Sequence, residues 1–161
     1  MKKSILLLIV ILSLSGCGET PTQFSEEALD SKLISLDGSE TDLRSVLTKN
    51  KEKVVLIDLW ASWCRDCIVA FPDIRAMQEE YSEVEFIFLS YDKSVSAWKN
   101  SLNKYQLKGQ HYYVPSGWDG PLGDFVRLNW IPRYMVINKD SSIKLFKATK
   151  ARDQRIKDAL L

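Results

Sequence analysis

The sequence predicts an α/β fold in which a mixed central sheet is flanked by helices. A continuous apolar run from Val54 to Leu59, interrupted only by Asp58, is typical of a central strand covered on both faces. Helical spacing of apolar residues begins soon afterwards, at Ile68. Two late apolar segments, 134–137 and 143–146, predict an antiparallel hairpin before a closing helix. Strands and helices that alternate in this order favour a sheet packed between helices.

The remaining elements follow from local patterns. Apolar residues on both sides of Asp37-Gly38 predict an N-terminal β-hairpin, and Asp42 is a candidate N-cap for a short helix after it. Pro72 lies inside the helix predicted over 68–81, where we expect a kink. A central helix–strand insertion and two further helices complete the prediction: strands over 84–89 and 111–114, and helices over 94–106, 122–128 and 152–161.

Composition bounds the class of protein. The chain has 161 residues, of which 45% are hydrophobic, and this is enough for one domain with a sizeable core. The formal net charge of +1 gives no reason to expect nucleic acid or another polyanion as a partner. Three cysteines are too few for a disulfide scaffold. We expect a protein that works as a monomer.

The N-terminus has the pattern of an export signal. Lys2-Lys3 is basic, Ile5–Leu12 is apolar, and Leu14-Ser15-Gly16-Cys17 resembles the bacterial lipobox, in which the cysteine is lipidated. An ordinary secretory signal with an incidental cysteine is the alternative. We therefore expect a lipoprotein signal peptide over 1–16, a lipidated tether over 17–28 and a folded domain over 29–161. The protein would be anchored by lipid in the cell envelope, on the inner or the outer membrane, and would face the periplasm.

Lipidation of Cys17 would leave one thiol pair, Cys64 and Cys67, in a Cys-x-x-Cys spacing where strand turns into helix. Unpaired N–H groups and the macrodipole at a helix N-terminus favour an anion, so the Cys64 thiolate should be stabilised. We expect Cys64 to be the exposed attacking thiol and Cys67 the less exposed resolving thiol. A structural disulfide or half of a zinc site would use the same spacing, but the only histidine, His111, has no partner at ligand spacing. His111 is expected at the surface.

Asp58 is a candidate proton acceptor. A carboxylate buried within an apolar strand has a raised pKa, which would let it take a proton near neutral pH. The alternative is an Asp58 side chain that points to an edge and is solvated.

The segment Asp58–Cys67, together with Trp130–Tyr134, resembles the thioredoxin superfamily and its TlpA/ResA branch of membrane-tethered oxidoreductases. The resemblance implies a thioredoxin-like fold and a cis-proline at Pro132, preceded by Ile131 with its main chain turned toward the disulfide. Trp63 would shield the pair, so that Trp63, Ile131 and Pro132 form the substrate-binding set. Asp58 corresponds to the buried acid of thioredoxin. The branch often carries a glutamate where this chain has Ala70, so Asp58 would act alone.

The resemblance further implies an envelope thiol–disulfide oxidoreductase that acts through a redox-active disulfide and needs no metal or organic cofactor. Relatives usually act as reductants of protein disulfides, often in cytochrome c biogenesis, and are recharged by a membrane thiol donor. A copper metallochaperone and a peroxiredoxin-like peroxidase are the alternatives. Four aromatic residues could line a partner-binding groove or pack in the core: Tyr112, Tyr113, Trp118 and Trp130.

Overall fold

A seven-stranded mixed sheet forms the centre of the protein, as seen in a computed structural model that describes residues 20–161. The strands are β1 Lys32–Ile34, β2 Glu40–Asp42, β3 Val55–Trp60, β4 Glu85–Ser90, β5 Gln110–Tyr113, β6 Arg133–Ile137 and β7 Ile143–Ala148. The helices are α1 Glu26–Leu29, α2 Leu43–Lys49, α3 Arg65–Glu80, α4 Val95–Tyr105, α5 Pro121–Phe125 and α6 Gln154–Leu160. The predicted α/β fold with an N-terminal hairpin is confirmed.

The sheet has the order β2-β1-β5-β4-β3-β6-β7. Strands β3, β4 and β5 run parallel, whereas β1, β2, β6 and β7 pair in antiparallel fashion with their neighbours. All six residues of β3 are buried, as expected for a strand between two others and covered on both faces. Because parallel strands end at the same edge, the residues that follow Trp60 and Ser90 come together there.

Side-chain caps fix the starts of α2, α3 and α4. Asp42 accepts from the N–H of Ser45 at the start of α2, which confirms the predicted cap. Ser94 caps α4 in the same way through the N–H of Ala97. Helix α3 begins three residues before the first apolar position of its periodic pattern, because the sulfur of Cys64 serves as its cap.

The predicted tether over 17–28 is wrong for the part that the structure describes. Thr22 accepts a hydrogen bond from the N–H of Ile143 in β7 at 2.7 Å. Phe24 is buried, and its ring centroid lies 5.3 Å from that of Phe125 in α5. Ala28 in α1 is fully buried as well. Two apolar residues in a short segment are too few to produce a detectable period, although their burial attaches the segment to the domain.

The predicted signal peptide over 1–16 and the predicted lipidation of Cys17 lie outside the described residues. Within residues 20–161, no helix is long and apolar enough to span a membrane.

Candidate functional site

Cys64 and Cys67 form a disulfide at the N-terminus of α3, with their Cα atoms 5.3 Å apart. A turn links them to β3, since the N–H of Cys64 donates to the carbonyl of Ala61. The side chain of Cys64 is 7% exposed and that of Cys67 is 1% exposed. Cys64 is therefore the more accessible thiol, as predicted, but the expectation that it is exposed is wrong because the walls of a groove cover most of it.

The sulfur of Cys64 occupies the N-cap position of α3. The N–H of Cys67 donates to it at 3.1 Å, so one of the unpaired donors of the first turn points at this sulfur. In the reduced protein the same N–H and the dipole of a 16-residue helix would stabilise a thiolate on Cys64. Arg65 and Asp66 follow with opposite charges and exposed side chains, and water screens both of them.

Asp58 lies in β3 with a completely buried carboxylate. Neither of its oxygens has a hydrogen-bond partner among the described protein groups. Burial raises the pKa of this carboxyl well above its ordinary value because the charged form loses its hydration. The solvated, edge-facing alternative is therefore excluded. Tyr134 is its register partner on β6, and burial together with the negative charge of Asp58 raises the pKa of that phenol.

The segment before β6 lies against the disulfide. The peptide bond between Ile131 and Pro132 is cis, as the resemblance implied. The carbonyl oxygen of Ile131 lies 3.7 Å from the sulfur of Cys64. A disulfide sulfur carries no proton, so this approach is a contact in the oxidised protein, and only a reduced Cys64 thiol could donate along it. Ile131 and Pro132 are both buried.

A groove of about 320 Å³ opens above Cys64. Three tryptophans stand around it, and Trp63 and Trp130 are more than half exposed. Trp118 is stacked against Trp63, with ring centroids 6.5 Å apart and planes 26° from parallel. The complete lining is Trp63, Cys64, Arg65, Asp66, Trp118, Asn129, Trp130 and Ile131.

The four aromatic residues that the sequence left undecided divide equally between groove and core. Trp118 and Trp130 line the groove. Tyr112 and Tyr113 belong to β5, where Tyr112 is buried and Tyr113 packs against Trp98 with centroids 6.0 Å apart.

His111 is buried, so the expectation of a surface histidine is wrong. It lies in β5, and its ring stacks on Phe88 of β4 with centroids 4.7 Å apart. The Nε2 atom lies 2.9 Å from the carbonyl of Leu107, which can only accept, so Nε2 carries the proton. Burial lowers the pKa of this imidazole. Within residues 20–161, no three His, Cys, Asp or Glu side chains converge as metal ligands would.

Similarity to known proteins agrees with this geometry. A family model for thioredoxin-like proteins matches residues 50–143, more than half of the chain. This chain belongs to the thioredoxin-like family. It is 30% identical over 123 residues to the thiol–disulfide oxidoreductase ResA from Bacillus cereus, a match that covers 67% of this chain and 69% of ResA.

Two solved thioredoxin-like structures extend the similarity. The solution structure of a thiol–disulfide oxidoreductase from Bacteroides vulgatus is 27% identical, with a TM-score of 0.65 over 90% of this chain and 88% of that one. The thiol:disulfide interchange protein DsbE from Chlorobium tepidum shares the fold at 21% identity, with a TM-score of 0.68 over 88% of this chain and 98% of that one. The predictions of a thioredoxin-like fold, a ResA-like branch and a thiol–disulfide oxidoreductase are confirmed.

Two buried charged residues of this thioredoxin-like domain were not predicted from the sequence. Asp92 follows β4 and accepts hydrogen bonds from Ser62. Arg133 opens β6 and is 0% exposed, and burial lowers the pKa of its guanidinium. A charged residue beside the apolar run of β6 is the same signal that singled out Asp58, and it could have identified Arg133. The contact of Asp92 with Ser62 could not be predicted from local sequence, because Ser62 lies 30 residues earlier.

Proposed function

We propose that the protein reduces disulfides of other proteins, with Cys64 as the attacking thiolate and Cys67 as the resolving thiol. The observation that carries this proposal is the position of the Cys64 sulfur. It accepts the N–H of Cys67 at the helix N-terminus, and it is the sulfur that lines the groove. A sulfur placed in this way is both stabilised as a thiolate and reachable by a partner.

The reaction begins with the reduced pair. The Cys64 thiolate attacks one sulfur of a substrate disulfide, the substrate S–S bond breaks, and the other substrate sulfur leaves as a thiolate and takes a proton. A mixed disulfide now joins Cys64 to the substrate. Reduction of the substrate is incomplete at this stage, because its second sulfur is still bound to Cys64 in the mixed disulfide.

The second step uses Cys67. Asp58, buried in β3 beside Tyr134 of β6 and with a raised pKa, accepts the proton of the Cys67 thiol in this proposal. The Cys67 thiolate attacks the sulfur of Cys64, the mixed disulfide breaks, and the second substrate thiol is released. The substrate has gained two electrons, and the protein is left with the disulfide between Cys64 and Cys67.

Substrate positioning falls to the groove side of the site. The contact at 3.7 Å between the Ile131 carbonyl oxygen and the Cys64 sulfur supports Ile131 and Pro132 as the segment along which the substrate backbone lies. Trp63 flanks the same sulfur with an exposed indole. The chemistry needs no metal or organic cofactor, because the reduced dithiol of Cys64 and Cys67 itself carries the two electrons.

The proposal includes a place in the cell. The lipobox-like segment that ends at Cys17 supports a lipid anchor and an envelope protein that faces the periplasm. In this proposal the protein acts as a monomer and, by resemblance to the TlpA/ResA branch, is recharged by a membrane thiol donor. Growth of the producing bacterium with an alkyne-labelled fatty acid tests the anchor. The full chain should carry the label, and the Cys17→Ser variant should lose it. A label that survives this substitution would contradict lipidation at Cys17.

The direction of electron flow is tested by the reduction potential of the pair. We expect the full chain with Cys17→Ser, equilibrated in thiol–disulfide buffers, to titrate near the value of thioredoxin, about −270 mV. A potential near that of the oxidant DsbA, about −120 mV, would contradict a reductive role. In parallel, Cys67→Ser should accumulate mixed disulfides with a protein substrate, whereas Cys64→Ser should not.

A further inference from the structure

We infer that Trp118 and Trp130 determine substrate choice, and that their groove takes an extended polypeptide segment with a large apolar side chain next to its reacting cysteine. This inference rests on the proposed function, because it names the class of substrate that reaches Cys64. Neither tryptophan belongs to the Cys-x-x-Cys segment or to the Ile131-Pro132 pair.

The depth of Cys64 requires an extended substrate. The sulfur lies below Trp63 and Trp130 with 7% of the residue exposed, whereas both indoles stand out with more than half of their surface exposed. A cysteine has a single methylene between its backbone and its sulfur, so the substrate backbone itself has to enter the groove. A disulfide on the flat surface of a folded protein could not approach closely enough.

The wall that contains Trp118 is held in place before substrate arrives. Its indole stacks on Trp63 and meets the ring of Tyr91 edge-on, with centroids 6.3 Å apart and planes at 71°. The backbone of Trp118 also lies directly on Gly123 of α5. A Cβ atom at that glycine would clash with the carbonyl oxygen of Trp118, so no side chain is tolerated there.

The wall that contains Trp130 is held by Arg133. The guanidinium donates to the carbonyl of Val126 at 2.7 Å and to the side-chain oxygen of Asn129 at 3.3 Å. No carboxylate lies within salt-bridge distance of Arg133 in residues 20–161. Burial of an unpaired cation costs several kcal/mol unless its hydrogen bonds compensate. Arg133 thereby ties the segment before Trp130 to the interior.

The chemistry of the groove favours an apolar occupant. Among the described residues five large hydrophobic side chains are exposed, and two of these, Trp63 and Trp130, line the groove with Cys64. Arg65 and Asp66 at the rim have opposite charges, so they give no preference for a charged peptide. Indole faces held on both sides of a groove bind apolar and aromatic side chains well. Because the walls are already ordered, binding loses little conformational entropy on the protein side.

Two peptide disulfides of equal length and charge test this inference, one with Leu-Cys-Leu and the other with Ser-Cys-Ser at its centre. The reduced full chain carrying Cys17→Ser is assayed with each peptide and with 2-hydroxyethyl disulfide, which is too small to contact both walls. Because each chain reduces one disulfide before its own pair is oxidised, the second-order rate constant of this single turnover is measured, and we expect it to favour the leucine peptide about tenfold, as burial of one large apolar side chain allows.

Trp118→Ala and Trp130→Ala should bring the ratio of the two peptide rates close to one, with the rate on 2-hydroxyethyl disulfide measured alongside as the reference for the thiol reactivity of each variant. Leu36→Ala is the matched control, because Leu36 is also an exposed apolar residue but does not line the groove; it should keep the preference. Equal rates for both peptides in the unsubstituted chain, or a preference that persists in both tryptophan variants, would overturn the inference. Failure to reduce any of the three disulfides would instead overturn the proposed function.

Discussion

The carboxylate of Asp92 accepts hydrogen bonds from both the backbone N–H and the hydroxyl of Ser62, at 3.1 and 2.6 Å. Its second oxygen accepts from the hydroxyl of Ser90 at 2.8 Å. Asp92 is buried just beyond the end of β4, and Ser62 lies two residues before Cys64. This contact joins the ends of two parallel strands and fixes the turn that delivers Trp63 and Cys64 to the groove.

Asp92→Ala should therefore destabilise the protein and change the reactivity of Cys64. Its removal leaves buried donors of Ser62 and Ser90 without an acceptor, and bonds to a charged group contribute about 1.5–3 kcal/mol each. We expect a loss of about 2–4 kcal/mol in the free energy of unfolding, measured by urea denaturation. A looser turn should also change the rate at which iodoacetamide alkylates Cys64 in the reduced protein.

Asp140→Ala is a matched control for this variant. Asp140 accepts from the N–H and the hydroxyl of Ser142 at 2.9 and 2.6 Å, the same pattern, but in the exposed turn between β6 and β7. Because water replaces these bonds, this substitution should cost no more than about 0.5–1 kcal/mol and leave Cys64 alkylation unchanged. Equal losses in the two variants would show that burial gives Asp92 no special importance.

Asp58→Asn should make the oxidised protein more stable at neutral and alkaline pH. The pKa of Asp58 is raised in the folded protein, so between the unfolded and folded pKa values the native state binds more protons. Stability from this group is thus complete below the unfolded pKa of about 3.9 and is lost as the pH rises through the folded pKa. The amide of the Asp58→Asn variant stays neutral at every pH, so the variant does not lose stability in this way as the pH rises.

Urea denaturation from pH 4 to pH 8 measures this effect. The difference between Asp58→Asn and the unsubstituted protein should grow as the pH rises and should be smallest at pH 4. Asp66→Asn alters an exposed carboxylate in the first turn of α3 and should show no comparable trend. A constant difference at all pH values would contradict a raised pKa at Asp58.

Asp58→Asn should also slow disulfide exchange even though it stabilises the fold. Without a proton acceptor, the Cys67 thiol must lose its proton to solvent, and general-base contributions are typically about 10²–10⁴-fold. Stopped-flow measurement of the second step with a peptide disulfide should show a large deficit at pH 7 that shrinks as alkaline pH deprotonates Cys67 directly. A deficit that does not change with pH would point to a structural effect of the substitution.

Much of the fold and of the candidate site could be predicted from the sequence because the patterns concerned are local. The apolar run of β3, the cap at Asp42 and the spacing of Cys64 and Cys67 each depend on neighbours in the chain. The cis bond at Pro132 came from family resemblance alone, since X-Pro bonds are mostly trans.

The remaining features depend on contacts between distant segments. His111 looks like a surface residue by type, but β5 lies between β4 and β1, so the ring is covered. Trp118 and Tyr112 are both large aromatic residues, so residue type does not show which of them lines the groove and which packs in the core. Only the tertiary fold distinguishes them. The hydrogen bonds of Asp92 to Ser62 join residues 30 positions apart, so packing rather than sequence spacing sets them.

Phe24→Ala should destabilise the domain, because residues before α1 belong to the folded core. The Phe24 ring is buried against Phe125, which in turn meets Phe146 of β7 edge-on with centroids 5.7 Å apart. Truncation of a buried phenylalanine costs about 3–5 kcal/mol in a well-packed core, and somewhat less near an edge. We expect a loss of about 2–3 kcal/mol by urea denaturation, with little change for Glu27→Ala, an exposed residue of the same segment. Equal stability of the two variants would restore the interpretation of this segment as a tether.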